Sequence, residues 1–247
     1  MSSPSAPHHR VARHLQWLFV IIPAVCFLGF LLLRRFARLD YYTFVREDGF
    51  IENLQSLFFA LAALGAGMLA RRFFRSADKL FGIAFSFLCA GLLFVAAEEI
   101  SWGQRIFGIE TPPELAEANI QGEITVHNLK ALGNVVHKVF ILVGLYTVFG
   151  RALVWLFARP LLSTRWSHIL VDWYIVPFFM PFLAVYVTYE YLNAIIEPHY
   201  GFPVILWQDL ETAEFFLASG FLAFIVSKML QVPAPAQSPA AVAQTQS

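Results

Sequence analysis

The chain has 247 residues, 58% of them hydrophobic and 14% charged, with no net charge at neutral pH and a mean hydropathy of +0.63. A soluble globular domain carries about 25% charged residues, so this composition excludes one and fits a polytopic membrane protein whose outer solvent is lipid. Zero net charge gives nucleic acid no electrostatic footprint, and no nucleic-acid partner is expected.

Residues 1–10 and 231–247 are rich in Pro, Ala, Ser and Gln, lack periodicity and read as disordered tails around a transmembrane domain over 11–230. Between them, apolar runs close to the roughly 20 residues a bilayer requires predict six helical spans. They lie at about 15–36, 50–72, 79–99, 132–157, 168–194 and 206–230. The first follows Arg10 and Arg13 but is long for a signal-peptide core and lacks a small-x-small cleavage pattern, so it reads as a retained helix. Cys26 and Cys89 both fall inside apolar runs and read as small packing residues. The fold expected is all-α: a polytopic bundle of about six helices, with a short interfacial helix in the third connection.

Lys and Arg set the orientation. Arg71, Arg72, Arg75 and Lys79 crowd the second connection, and Arg151, Arg159 and Arg165 lie near the fourth, while the fifth has none. This places both termini in the cytoplasm. Arg34, Arg35, Arg38 and Arg46 in the first connection run against the rule; snorkelling from the end of the first span would account for some of them. On this topology all acids but Asp78 and Asp172 sit at one membrane face, assigned to the periplasm.

Within that layer helical spacing groups polar residues. Asp48, Glu52 and Gln55 share a face of the second span, and Tyr186, Glu190, Asn193 and Glu197 a face of the fifth; Glu211 and Glu214 are an i, i+3 pair on the sixth. Pro177 and Pro181 read as kinks in the fifth span. Glu98, Ser101, Trp102 and Arg105 share a face if the third helix continues that far. Thr111-Pro-Pro-Glu reads as a helix start with Thr111 at the N-cap, and the short helix after it is expected to stop near Gly122. If Glu123 onward is one helix entering the fourth span, Glu123, His127, Lys130, Asn134 and His137 form a stripe, and Glu123 with His127 at i, i+4 can hold one divalent metal ion. Acids in a first helical turn often do no more than complement the helix dipole. Ionisable groups at membrane depth on several helices point further, to a functional site.

The strings "EEISWGQRIFG" and "TPPELAEANIQGEITVHNL", together with "REDGFIENLQSLFFALAA", resemble a group of uncharacterised bacterial multi-pass membrane proteins with a Glu-Glu-x-x-x-Gly-Gln-Arg stretch followed by Asn-x-Gln-x-Glu and His-Asn. The resemblance covers roughly residues 45 to 140 and implies no particular reaction. It favours Glu98, Glu99, Gln104, Arg105, Glu123, His127 and Asn128 as the site. A fainter likeness to the alkaline ceramidase and adiponectin-receptor superfamily lacks that superfamily's histidine spacings, since Ser101 is followed by Arg105 and His137 by Ile141.

These readings lead first to a membrane-embedded enzyme on a lipid or lipid-linked substrate. Glu99, Glu123 and His127 would be its catalytic groups or, for Glu123 and His127, metal ligands. Glu52, Glu98, Gln104, Arg105 and Asn128 would contact substrate. A non-catalytic membrane scaffold comes second, and a proton- or cation-coupled transporter third.

Overall fold

Six stretches of the computed structural model are helices long and apolar enough to cross a membrane: Arg13–Phe36, Phe50–Arg75, Lys79–Glu99, Val135–Phe157, Val176–Tyr200 and Asp209–Gln231. The structure describes residues 11–46 and 49–232, the side chains of Arg105 and Asn134 excepted. The tail expectations and the Asp48 position on the second stripe fall outside these residues.

The elements run in chain order as α1 (Arg13–Phe36), α2 (Arg38–Phe44), α3 (Phe50–Arg75), α4 (Lys79–Glu99), α5 (Gln104–Phe107), α6 (Pro113–Ala118), α7 (Gly133–Phe157), α8 (Val176–Val187), α9 (Asn193–Tyr200) and α10 (Asp209–Gln231). No strand occurs among the described residues; one isolated bridge joins Asn119 to Leu129. The boundaries have local causes. Helix α3 starts after an extended Gly49 and ends at the Ser76–Asp78 turn, where Ala77 takes a φ of 62°. Helix α8 starts at Val176 with Pro177 in its first turn, where a missing N–H costs nothing. The fifth span therefore begins eight residues later than 168, and Pro177 initiates a helix instead of kinking one; Pro181 lies inside it. A π-helical turn over Thr188–Leu192 joins α8 to α9.

The helices pack as a bent row, α4 on α3, α3 on α10, α10 on α8 and α8 on α7, with α1 against α8 and α10. Helix α10 is the central member: 61% of its apolar window is buried, against 11% for α1. Small residues let the backbones approach, as in other membrane bundles. A Cβ on Gly65 of α3 would lie 2.4 Å from Ile225 of α10, and one on Gly220 of α10 would lie 2.7 Å from the Phe179 ring of α8. Ala62, Ala63, Ala66 and Ala218 line the same seams, and Phe59, Phe179, Phe182 and Phe216 fill the space between them.

The third connection departs most from expectation. Helix α4 stops at Glu99 and does not carry on to Arg105. Pro112, not Thr111, occupies the N-cap of α6, which ends at Ala118 and not near Gly122. Residues 119–132 are turns and bends, and α7 begins only at Gly133. The continuous helix from Glu123 to His137 does not form, so the i, i+4 spacing of Glu123 and His127 is lost.

Candidate functional site

The C-terminal ends of α4 and α9 meet the N-terminal ends of α3, α7 and α10 at one end of the bundle. Carboxylates at a helix N-terminus complement its dipole, which accounts for Glu52 on α3 and Asp209 and Glu211 on α10. It does not account for Glu98 and Glu99. They end α4, where the dipole is negative, and are only 3% and 8% exposed. Something else holds them there.

For Glu98 the holder is the third connection. Just past Glu99 the chain makes a left-handed turn: Ser101, Trp102 and Gly103 have φ of 47°, 56° and 77°. Two side-chain-bearing residues in this region cost of order 1–3 kcal/mol each and persist only where surrounding contacts impose them. Here the contacts are visible. The Trp102 indole N–H donates to Glu98 Oε1 at 2.5 Å, and the Ser101 hydroxyl donates to Glu123. Glu98 Oε2 accepts from the backbone N–H of Val126 at 2.7 Å and of His127 at 2.9 Å, and lies 3.0 Å from His127 Nδ1. One carboxylate thus clasps the turn, the loop backbone and the imidazole.

Further clasps close the loop on itself. The Gln104 amide donates to Thr111 while its oxygen accepts from Ile124 N–H at 2.9 Å. Buried Asn119 donates to Thr125 O at 2.8 Å and accepts from Gln121 N–H at 2.8 Å. Asn128 donates to the Gln121 side chain, and its carbonyl accepts from Ile120 N–H at 2.8 Å. Gln104 and Asn128 are therefore positioning residues of this loop.

Beneath the loop lies a second layer. Tyr186 of α8 donates to Glu214 of α10. His137 of α7 pairs with Glu190 and packs edge-on against Tyr186, ring centroids 5.4 Å apart. Glu99 lies within electrostatic range of Glu52, Glu98, Glu211 and Glu214, and Glu214 within range of His127 and His137. Gln55, fully buried, donates to the Glu211 carbonyl at 2.7 Å, and its side-chain oxygen has no donor among the described residues. Burial alone would lower the proton affinity of His127, but its bond to Glu98 and the charges of Glu214, Glu98 and Glu52 outweigh that and raise its pKa above the ordinary value.

The structure thus brings Glu52, Glu98, Glu99, Glu123 and His127 to one end of the bundle. The backbone of Arg105 lies on α5, and its side chain is outside the described atoms. Tyr186, Glu190, Glu214 and His137 join the site; their helical stripes signal polarity, but only the packing shows that they meet. A metal at Glu123 and His127 has lost the helical spacing that suggested it. Among the described residues no group of three or more His, Cys, Asp or Glu is arranged to hold an ion; one Glu123 oxygen accepts from Ser101, and His127 Nδ1 faces the Glu98 carboxylate.

Two other polar clusters flank the spans. Arg34, instead of snorkelling, forks onto Asp209 with two 2.8 Å bonds and onto Val204 O at 2.8 Å; Tyr41 joins Asp209 at 2.9 Å. At the opposite end Asp172 accepts from Lys228 at 3.0 Å and Gln231 at 2.6 Å and pairs with Arg151 at 2.9 Å. Burial alone would raise the Asp172 pKa, but Lys228, Gln231 and Arg151 hold it below the ordinary carboxylate value. Burial next to that charge pushes the Tyr174 hydroxyl up to about 12.

Comparison of the chain with family models, curated proteins and solved structures returns no match.

Proposed function

We propose that this integral membrane protein is a membrane-embedded enzyme that performs acid–base chemistry on a lipid or lipid-linked substrate, with its site at the periplasmic face of a bacterial inner membrane. The observation that carries the reading is the His127 imidazole, oriented by Glu98 and folded over carboxyls from several helices. A base held in one orientation by a third group is the arrangement general acid–base catalysis uses. Seven carboxyl groups (Glu52, Glu98, Glu99, Glu123, Glu190, Glu211 and Glu214) belong to this layer, beside the two imidazoles of His127 and His137. Glu99 and Glu214 lie in range of several of these charges in a low-dielectric site, where like charges do not all ionise together. His127 is the group that exchanges a proton with substrate; Glu99 and Glu214 are the reservoir behind it, and Glu123, tethered by Ser101, lines the entrance.

A lipid substrate is favoured by the site's place at the ends of six apolar helices long enough to cross a membrane, where a headgroup can meet it from the bilayer surface. The apolar crevice of about 280 Å³ between α4 and α7 lies nearer the Asp172 end, with Ile169 and Val171 among its walls. A transmembrane proton path is disfavoured by the packing between the two ends, where Phe59, Ala66, Leu69, Phe179 and Ala218 are buried.

The test is reconstitution into vesicles of bacterial polar lipid, with lipid masses followed over time. Wild type should convert one lipid class, while His127→Gln and Glu99→Gln, folded by circular dichroism, should not. Lipid profiles that stay constant with wild type, or change equally with the variants, would sink the enzyme reading and leave a scaffold.

A further inference from the structure

The arginines of the first connection run against the charge rule, and the site above does not use them. They line a basin of about 650 Å³ at the joint between α1 and α2, with Arg34, Arg35, Arg38 and Tyr42 on one wall and Phe202 and Val204 on the other. Arg34 is committed to Asp209 and Val204, which fixes the far wall to the end of α1. Arg35 and Arg38 are not committed. Their guanidinium groups sit 5.4 Å and 5.5 Å from the Phe36 and Tyr42 ring centroids, and neither has an ion pair among the described residues. The Tyr42 hydroxyl is buried with no hydrogen-bond partner there. Donors and positive charge therefore converge on a concavity without an acceptor to match them.

The surroundings say where the acceptor comes from. Phe36 is 77% exposed, Leu39 85% and Phe202 61%, in a chain whose outer surface is lipid. Apolar side chains at the rim with arginines inside is the pattern of an interfacial anion site. We infer that this basin binds the phosphate of an anionic phospholipid, with Arg35, Arg38 and the Tyr42 hydroxyl as its donors and the acyl chains lying along Leu31 and Phe202. The inference does not rest on the enzymatic reading. It also accounts for arginines at the acid-rich face: an anionic lipid neutralises them in place.

The test uses full-length protein, delipidated in detergent and titrated separately with phosphatidylglycerol, phosphatidylcholine and soluble glycerol 3-phosphate, with bound copies counted by native mass spectrometry. One phosphatidylglycerol should be retained in preference to phosphatidylcholine. Affinity should fall about thirtyfold in Arg35→Ala/Arg38→Ala, each interfacial arginine being worth about 1 kcal/mol. Arg35→Gln and Tyr42→Phe, each alone, should give smaller losses and serve if the double variant does not fold; Arg34 is left intact because it holds Asp209. Equal retention of the two lipids, or retention unchanged in every variant, overturns the site. Saturation by glycerol 3-phosphate at the affinity of the lipid overturns the lipid source and makes this a site for a soluble phosphate.

Discussion

At the Asp172 end of the bundle, one buried carboxylate meets Lys228, Arg151 and Gln231, so opposite charges face each other. At the Glu98–Glu99 end, seven carboxyl groups are gathered with the loop and two imidazoles. Both ends bury ionisable groups, and both use residues brought from distant parts of the chain. The first arrangement is what a structural network requires. The second stores unfavourable repulsion and puts two left-handed residues beside it. A fold that needed only stability would lose both, and this difference is the reason to place function at one end and not at the other.

The contrast can be broken by mutation. The largest effect is expected from Lys228→Met, which leaves Arg151 as the one cationic partner of Asp172 among the described residues: removing one partner of a buried pair costs about 3–5 kcal/mol, read as a lowered midpoint of thermal unfolding in detergent. Adding Asp172→Asn should recover most of that loss. At the other end Glu214→Gln should leave stability unchanged or raise it by about 1 kcal/mol, since a repelling charge goes and the bond from Tyr186 survives. Lipid conversion should fall in the same variant. A large loss of stability in Glu214→Gln would erase the distinction between the two ends.

Acidity should loosen the two ends in opposite directions. The pKa of Asp172 is depressed in the folded protein, so its contribution is present above the ordinary value of about 3.8 and is lost as pH falls through the folded value. The pKa of His127 is raised, so the bond to Glu98 contributes fully below about 6.5 and fades as pH rises through the folded value. Hydrogen exchange at 119–128, corrected for the intrinsic pH dependence, should therefore accelerate in mild alkali while the α10 C-terminus stays protected. The smallest effect belongs to Ser101→Ala. It keeps the strained φ but removes the hydroxyl that donates to Glu123, costing about 1 kcal/mol and raising exchange in the same loop.

The architecture was legible because each span is a long apolar run with charge at its ends; the predicted boundaries of α1, α3, α4 and α10 lie within a turn of those found. The one-sided acid layer was legible for the same reason. The connection between α4 and α7 was not. Its conformation rests on hydrogen bonds from Glu98, Gln104 and Asn119 to partners up to 29 positions away, and no helical or strand period records such pairings. Gly103 hints at a positive φ, but nothing marks Ser101 and Trp102 for the same region. Asp172 and Lys228 lie 56 positions apart, and only packing joins them. Pro177 starts α8 although apolar residues precede it, and that unbroken apolar run is what makes it read as a kink inside a longer helix.

The π-helical turn at Thr188–Leu192 has an evolutionary meaning. Such a turn is how a helix absorbs one additional residue without rotating the segments on either side. Tyr186 before it donates to Glu214, and Asn193 after it holds the 204–205 backbone, so both flanks carry an anchor of their own. The surplus residue is spent where His137 meets Glu190 and Tyr189. A gene lacking one codon in this stretch should still encode the same bundle, with its anchors in place and this pairing alone rewritten.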